Sequence, residues 1–350
     1  MVDGFVAEGF EAVREAFAAD PRGGSALAVI QHGEVVVDLR EGWRDAARTV
    51  PWDEDTLVDV YSAGKPVIAL AVMMLVGRGL ISLDDPVARH WPEFTSSASV
   101  RHALSHTAGL PVFPVPRPAQ AWQDWDLLCA DLAAATPEWT PGTVAAEHAL
   151  TYGHLLGELV RRVDGRMPGQ FVAEEIAGPY RADLGFGLGP EQLARCAELE
   201  YSTPDWLELN TGIPGSVRER AVANPAGARD LAVVNSDLWR TAEVPSVNLH
   251  ATAMGIARFY DRQLADPVLA VAQFEGFDHF ICSEVVWGLG VQIEPDSSWG
   301  MGGLGGNAGW ADPRRGQAIA YVTRSLGSFE TVERIEAALN SSTDRGPGRS

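Results

Sequence analysis

Apolar and polar positions follow three different rhythms in the first eighty residues. From Gly9 to Ala18, Phe10, Val13 and Phe17 recur at helical spacing and predict an amphipathic helix. After Gly23-Gly24, the span from Ser25 to Leu39 reads as two β-rich runs about a turn containing His32-Gly33, a hairpin. From Val67 to Val76 every position is apolar, the most apolar helical run in the chain but too short to span a bilayer. That helix ends at Gly77-Arg78-Gly79, and Asp84-Asp85-Pro86 starts another.

The rhythm then changes. Between residues 84 and 242 the pattern is mainly helix and long loops, with helices predicted over Asp124–Ala135, Leu150–Val163 and Asp230–Arg240. The stretch from Pro179 to Pro225 is punctuated by glycine and proline and yields no clear order. Thr252–Leu264 is again amphipathic. β-like runs follow at Val285–Ile293 and Ala318–Val322, and Phe329–Leu339 predicts a last helix. The expected fold class is α/β (α+β): an antiparallel sheet with flanking helices, formed from residues 1–83 and 243–340, plus a helix-rich region over 84–242. Residues 341–350 read as a flexible tail.

Composition narrows the partners. At 350 residues with 46% hydrophobic content, the chain can bury a sizeable core. Its 27 Lys and Arg stand against 47 Asp and Glu, and the net charge of -20 opposes binding to nucleic acid or an anionic membrane. Cys129, Cys196 and Cys282 are scattered, which fits neither a disulfide scaffold nor a cysteine metal site. Acids come early and no basic region precedes an apolar stretch, so no signal peptide is visible and a cytoplasmic location is expected. The expected partner is a small molecule, with no cofactor and no metal.

The chemistry is concentrated where the buried helix begins. In Asp59-Val60-Tyr61-Ser62-Ala63-Gly64-Lys65, Ser62 and Lys65 stand three residues apart, on one face of a first helical turn. Free N–H groups at a helix start favour developing negative charge. A serine hydroxyl is a weak nucleophile unless a neighbouring base takes its proton, and a desolvated lysine can be that base. Far along the chain, the span Trp299–Trp310 is half glycine, which lets a backbone pass close to a ligand. It lacks the Gly-x-Gly-x-x-Gly-to-helix arrangement of a nucleotide site, because Gln317–Val322 after it is strand-like.

Five motifs occur in a fixed order: Ser62-Ala63-Gly64-Lys65, Gly79 to Val87, Leu104 to Pro111, Pro141-Gly142-Thr143 and Met301-Gly302-Gly303. In this the chain resembles the serine β-lactamase/penicillin-binding-protein superfamily over roughly residues 5 to 340, closest to class C β-lactamases and β-lactamase-like carboxylesterases. Val36-Val37-Asp38-Leu39 with Gly42-Trp43, Pro51-Trp52, and Ala242 to Asn248 look esterase-like. The resemblance implies Ser62 as the acylated nucleophile and Lys65 as its proton-handling partner. It implies the backbone N–H groups of Ser62 and Leu304 as an oxyanion hole, and a site between the sheet and the helical region.

Two motifs depart from the family pattern. Where relatives carry Tyr-x-Asn or Tyr-His-Ala, this chain has Glu147-His148-Ala149. Tyr152-Gly153-His154 mimics that motif but lies five residues too late, and Tyr152 is assigned to packing. Where relatives carry Lys-Thr-Gly or His-x-Gly, this chain has Met301-Gly302-Gly303. An apolar thioether cannot hold a substrate carboxylate, which favours uncharged esters over β-lactams.

An ionised Glu147 would hold Lys65 as ammonium, making the lysine a poorer base. Glu147 could then take the serine proton itself, activate water, or receive an amine's proton in acyl transfer. Tyr61, His148, His250, Met301, Gly302 and Gly303 are candidates to line the pocket, with His106 and His154 assigned to structure. The expected function is a serine acyl-enzyme hydrolase or acyltransferase acting on a small ester or amide. The alternative is a relative that binds or transforms a natural-product intermediate without acyl-enzyme hydrolysis.

Overall fold

The computed structural model describes residues 2–343, so most of the expected tail lies outside the described residues. Its centre is an antiparallel sheet of nine strands: β1 (Asp3–Val6), β2 (Gly24–Gln31), β3 (Glu34–Gly42), β4 (Phe274–Asp278), β5 (Ser283–Trp287), β6 (Gln292–Ile293), β7 (Trp299–Gly303), β8 (Asn307–Asp312) and β9 (Gln317–Thr323). Their spatial order is β1-β3-β2-β9-β8-β7-β6-β5-β4. The two ends of the chain therefore meet where β2 pairs with β9, from Gln31 opposite Gln317 to Ser25 opposite Thr323.

The sheet is covered on both faces, and the period of two along β2 shows how. Leu27 and Val29 join Phe10, Val13 and Phe17, at the start and along one face of α1 (Glu11–Ala18), in one apolar layer, completed by Ile335 and Leu339 of the C-terminal helix (Glu330–Thr343). Ala26, Ala28 and Ile30 face the other way, into a second and larger core. That core holds the apolar helix α2 (Lys65–Gly77), together with α3 (Trp125–Ala133), α4 (Tyr152–Asp164) and α5 (Ala253–Ala265). One apolar cluster thus runs from the sheet into the helical region. No helix among the described residues is long and apolar enough to cross a membrane.

Local chemistry explains most boundaries. The β2–β3 turn is His32-Gly33 with φ of 51° and 82°, the two positive values that suit the twist of a two-residue hairpin. Thr252 caps α5 by accepting a hydrogen bond from the Gly255 N–H at 2.9 Å. The helix expected over Asp230–Arg240 divides into Leu231–Val234 and Asp237–Arg240. Between them the Asn235 side chain is drawn into two hydrogen bonds with the Leu199 backbone.

The run expected as a strand over Val285–Ile293 also divides, at Gly288-Leu289-Gly290. β1, β4, β7 and β8 are strands that the sequence pattern missed. β7 and β8 are glycine-rich, so propensity argues against them. They pair because they can approach closely: a Cβ on Gly300 would sit 2.2 Å from the Gly309 carbonyl oxygen.

Candidate active site

Ser62 does not lie inside the α-helix. Tyr61–Gly64 forms a tight 3-10 turn, and α2 begins at Lys65. Tyr61 takes a positive φ of 50°, which is costly for a side chain with a Cβ. Asp59 holds that turn. Its Oδ1 accepts from the Tyr61 N–H at 2.9 Å and its Oδ2 from the Trp239 indole at 2.7 Å. Burial pushes the Asp59 carboxyl up from 3.8 to about 7, against the pull of those hydrogen bonds.

From this turn Ser62 reaches two partners. Lys65 Nζ donates to Ser62 Oγ at 2.6 Å, and Ser62 Oγ donates to Glu147 Oε1 at 3.2 Å. Lys65 Nζ and Glu147 Oε1 are 2.9 Å apart, closing a three-membered ring. The Lys65 side chain is wholly buried. Burial lowers its pKa, and the Glu147 carboxylate pulls it back up.

Glu147 is positioned from the far edge of the sheet. Asp278, at the end of β4, accepts from the Glu147 N–H at 3.2 Å through Oδ1. The same oxygen accepts from the N–H groups of Phe280 and Ile281, and Oδ2 accepts from the Trp287 indole at 2.9 Å. Asp278 is fully buried and is the hub that ties the Glu147 loop to the sheet.

The ring opens on a cavity of about 240 Å³. Tyr61, Ser62 and Glu147 form one part of its wall, and Met301, Gly302, Gly303 and Leu304 another. Gly303 is what lets these two parts meet: a Cβ there would sit 2.1 Å from the Val60 carbonyl oxygen. The end of β7 is thereby pressed onto the nucleophile's turn. Among the described residues, neither the Ser62 nor the Leu304 N–H has a protein acceptor. Two free donors on one wall suit a developing oxyanion.

His148 and His250, expected as candidates to line the pocket, do not line it. A tight turn lies before α4, with the Ala149 N–H donating to the Glu147 carbonyl at 2.8 Å, and Glu147 lines the cavity while His148 does not. His148 Nε2 accepts from the Leu110 N–H at 3.1 Å, and its Nδ1 bonds the Ala146 carbonyl at 2.8 Å. His250 pairs with Asp59 and Gly185 in a small buried sheet and bonds the Asn248 carbonyl. Burial pushes His148 down to about 4 and His250 to about 3, so both rings are neutral at neutral pH.

Tyr152 donates its hydroxyl to the Leu104 carbonyl at 3.0 Å and packs against the His106 ring. His106 accepts from the His148 N–H, and His154 stacks on Trp125. Met301 does line the cavity, as expected, and brings no charge to its own segment of the wall. Arg218 and Arg229 also face the cavity. Both lie in the glycine- and proline-punctuated stretch or just past it, where no pattern ordered the chain. Asp278 was missed too, since no motif surrounds it, whereas Asp59 had one signal, its place three residues before Ser62. No group of three or more His, Cys, Asp or Glu among the described residues could hold a metal ion.

The match to the family described as Beta-lactamase covers residues 11–341. The Mycobacterium tuberculosis protein described as "Esterase/beta-lactamase LipL" is 33% identical over 341 residues, spanning 87% of this chain and 77% of that protein. A penicillin-binding protein homologue from Caulobacter crescentus superposes with a TM-score of 0.86 at 34% identity, covering 97% of this chain and 100% of its own. A family VIII carboxylesterase superposes with a TM-score of 0.87 at 31% identity, with the same coverage of 97% and 100%. Sequence, fold and relatives agree that the chain belongs to the beta-lactamase family, within the superfamily of esterases built on the β-lactamase/penicillin-binding-protein fold.

Proposed function

We propose that the protein is a serine acyl-enzyme hydrolase or acyltransferase for small esters or amides, with Ser62 as nucleophile and Glu147 as its base. Membership of a superfamily of hydrolytic and acyl-transferring enzymes supports the class, as do relatives described as esterases and carboxylesterases. The observation that carries the residue assignment is the closed ring of Ser62, Lys65 and Glu147 on the cavity wall.

Each group has a defined task. Ser62 Oγ attacks the carbonyl carbon while its proton passes to Glu147 Oε1. Lys65, held as ammonium by Glu147, keeps its donor on Oγ and steadies the charge as it develops. The Ser62 and Leu304 N–H groups take the oxyanion of the tetrahedral intermediate, where a single such donor is worth about 10²–10³ in rate. Glu147 then returns its proton to the leaving oxygen or nitrogen, and the acyl group stays on Ser62. A water, alcohol or amine enters next and gives its proton to Glu147. It bonds to the acyl carbon, the bond from that carbon to Ser62 Oγ breaks, and Glu147 returns its proton to Ser62 Oγ.

Intact-protein mass spectrometry with an active-site-directed fluorophosphonate tests this reading. Wild type is expected to gain one phosphonyl mass, mapped to the Ser62 peptide, and Ser62→Ala none. An adduct of wild-type strength in Ser62→Ala would overturn the assignment.

A further inference from the structure

Arginines in this protein generally find carboxylates, as expected of a chain with 47 acidic residues against 27 basic ones. Arg117 forks onto Asp131 with two bonds of 2.8 Å, and Arg195 pairs with Asp183. Arg220 pairs with Glu138. Two residues before it on the same short helix, Arg218 meets no carboxylate among the described residues. Its guanidinium lies over the Phe280 ring, 5.6 Å from the centroid, and makes no hydrogen bond or ion pair among the described residues.

Arg229 is also without a carboxylate among the described residues. Its Nη1 is anchored to the Asn210 carbonyl at 3.1 Å and to Thr211 Oγ1 at 3.3 Å, which fixes the guanidinium. Its Nε is buried and has no partner. Arg218 is near enough for its positive charge to act on Arg229. Tyr61, in the wall that also carries Ser62, has a buried hydroxyl with no partner either. A buried donor without an acceptor is destabilising, and two like charges in partial burial add to that. All three residues line the same cavity.

We propose that Arg218 and Arg229 form a carboxylate-binding arm of the Ser62 cavity, making the preferred substrate a small ester or amide whose acyl chain ends in a carboxylate. The proposal rests on the reading of Ser62 as nucleophile for its catalytic part, but not for binding. Planar guanidinium groups match a carboxylate through paired N–H donors, and Phe280 beneath Arg218 holds one face of its plane. Arg218 brings a guanidinium with no carboxylate among the described residues, and Arg229 is held in place through Nη1 alone. At about 240 Å³ the cavity is smaller than a drug-sized site, which suits the half-ester of a short dicarboxylic acid. Met301 does not oppose this, because the charge is carried on a different segment of the wall.

The test compares 4-nitrophenyl hydrogen glutarate with 4-nitrophenyl pentanoate, which have chains of similar length and differ in the terminal charge. Wild type is expected to favour the glutarate by at least about tenfold in kcat/KM, chiefly through KM, with the preference shrinking as salt is raised. Arg218→Met and Arg229→Met are each expected to lower the ratio of the two kcat/KM values by about tenfold or more. Arg218 anchors no other segment, so its variant keeps the test open if Arg229→Met does not fold. A wild-type ratio near one, or a ratio unmoved in folded Arg218→Met, would overturn the proposal.

Calorimetry separates the two readings. Ser62→Ala is expected to bind monomethyl glutarate, and adding Arg218→Met to weaken that binding at least tenfold. Absence of binding would overturn the arm. Binding without any phosphonate adduct in wild type would overturn only the acyl-enzyme reading.

Discussion

Lys65 Nζ lies 2.9 Å from Glu147 Oε1, with the lysine side chain wholly buried and that of the glutamate only 8% exposed. Removing one member of a buried ion pair leaves the other charge without compensation, at a cost of about 3–5 kcal/mol. Lys65→Met is therefore expected to be destabilised by about that amount in urea unfolding. Adding Glu147→Gln should restore part of it, because a neutral amide is far less costly to bury than an unpaired carboxylate. A double variant no more stable than Lys65→Met would show that the pair is not coupled in this way.

Glu147→Gln keeps the size of the side chain and removes the proton acceptor. If Glu147 is the base, acylation or deacylation should slow by about 10²–10⁴ in pre-steady-state measurements. The pH profile should also move. Burial lowers the Lys65 pKa and the Glu147 charge raises it, so without that charge the lysine loses its proton at lower pH. The alkaline limb of residual activity is then expected at lower pH than in wild type. Unchanged rates and an unchanged limb would leave Glu147 without a role.

Much of this site was legible because its signals are local. Ser62 and Lys65 stand three residues apart before ten apolar positions, which mark the start of a helix. The His32-Gly33 hairpin was legible for the same reason. What failed depended on distance or on packing. β7 and β8 are strands because glycines let Gly300 and Gly303 approach other backbone, not because their residues favour strands. Asp278 acts on Glu147 across 131 positions of sequence, so no motif could announce it. His148 and His250 carry the right chemistry, but Leu110, Ala146 and Asn248 already engage their rings. Arg218 and Arg229 become a pair only in three dimensions.

Asp278 is a positioning residue with four donors on one carboxylate. Asp278→Asn offers one carbonyl oxygen where two acceptors are needed, so its amide must face a donor in either orientation. That should cost about 1–3 kcal/mol of stability. A misplacement of Glu147 by about 1 Å can cost about 10² in rate, so phosphonate labelling of Ser62 should slow as well. The pH profile distinguishes positioning from mere stability. Weaker contact between Glu147 and Lys65 should carry the alkaline limb to lower pH, as in Glu147→Gln but less far. A lower Tm with an unmoved limb would assign Asp278 to the scaffold alone.

Asp59 links the strained turn at Tyr61 to the pH dependence of stability. Its carboxyl titrates at about 7 in the folded protein, because burial outweighs the hydrogen bonds from Tyr61 and Trp239. In the unfolded chain an aspartate titrates near 3.9. Between those values the folded state keeps a proton that the unfolded state has lost. The contribution of this group is therefore fully present below about pH 4, declines as pH rises toward 7, and is lost above it. Asp59→Asn cannot titrate at this position, while the other ionisable groups are common to both proteins. The unfolding free energy of wild type minus that of Asp59→Asn should fall steadily from pH 5 to about 7 and level off by pH 8.5. Chemical denaturation across that range gives the measurement. A difference that stays flat, or rises with pH, would mean that Asp59 is already ionised in the folded protein and that its four-atom link to Tyr61 and Trp239 is a charged one throughout.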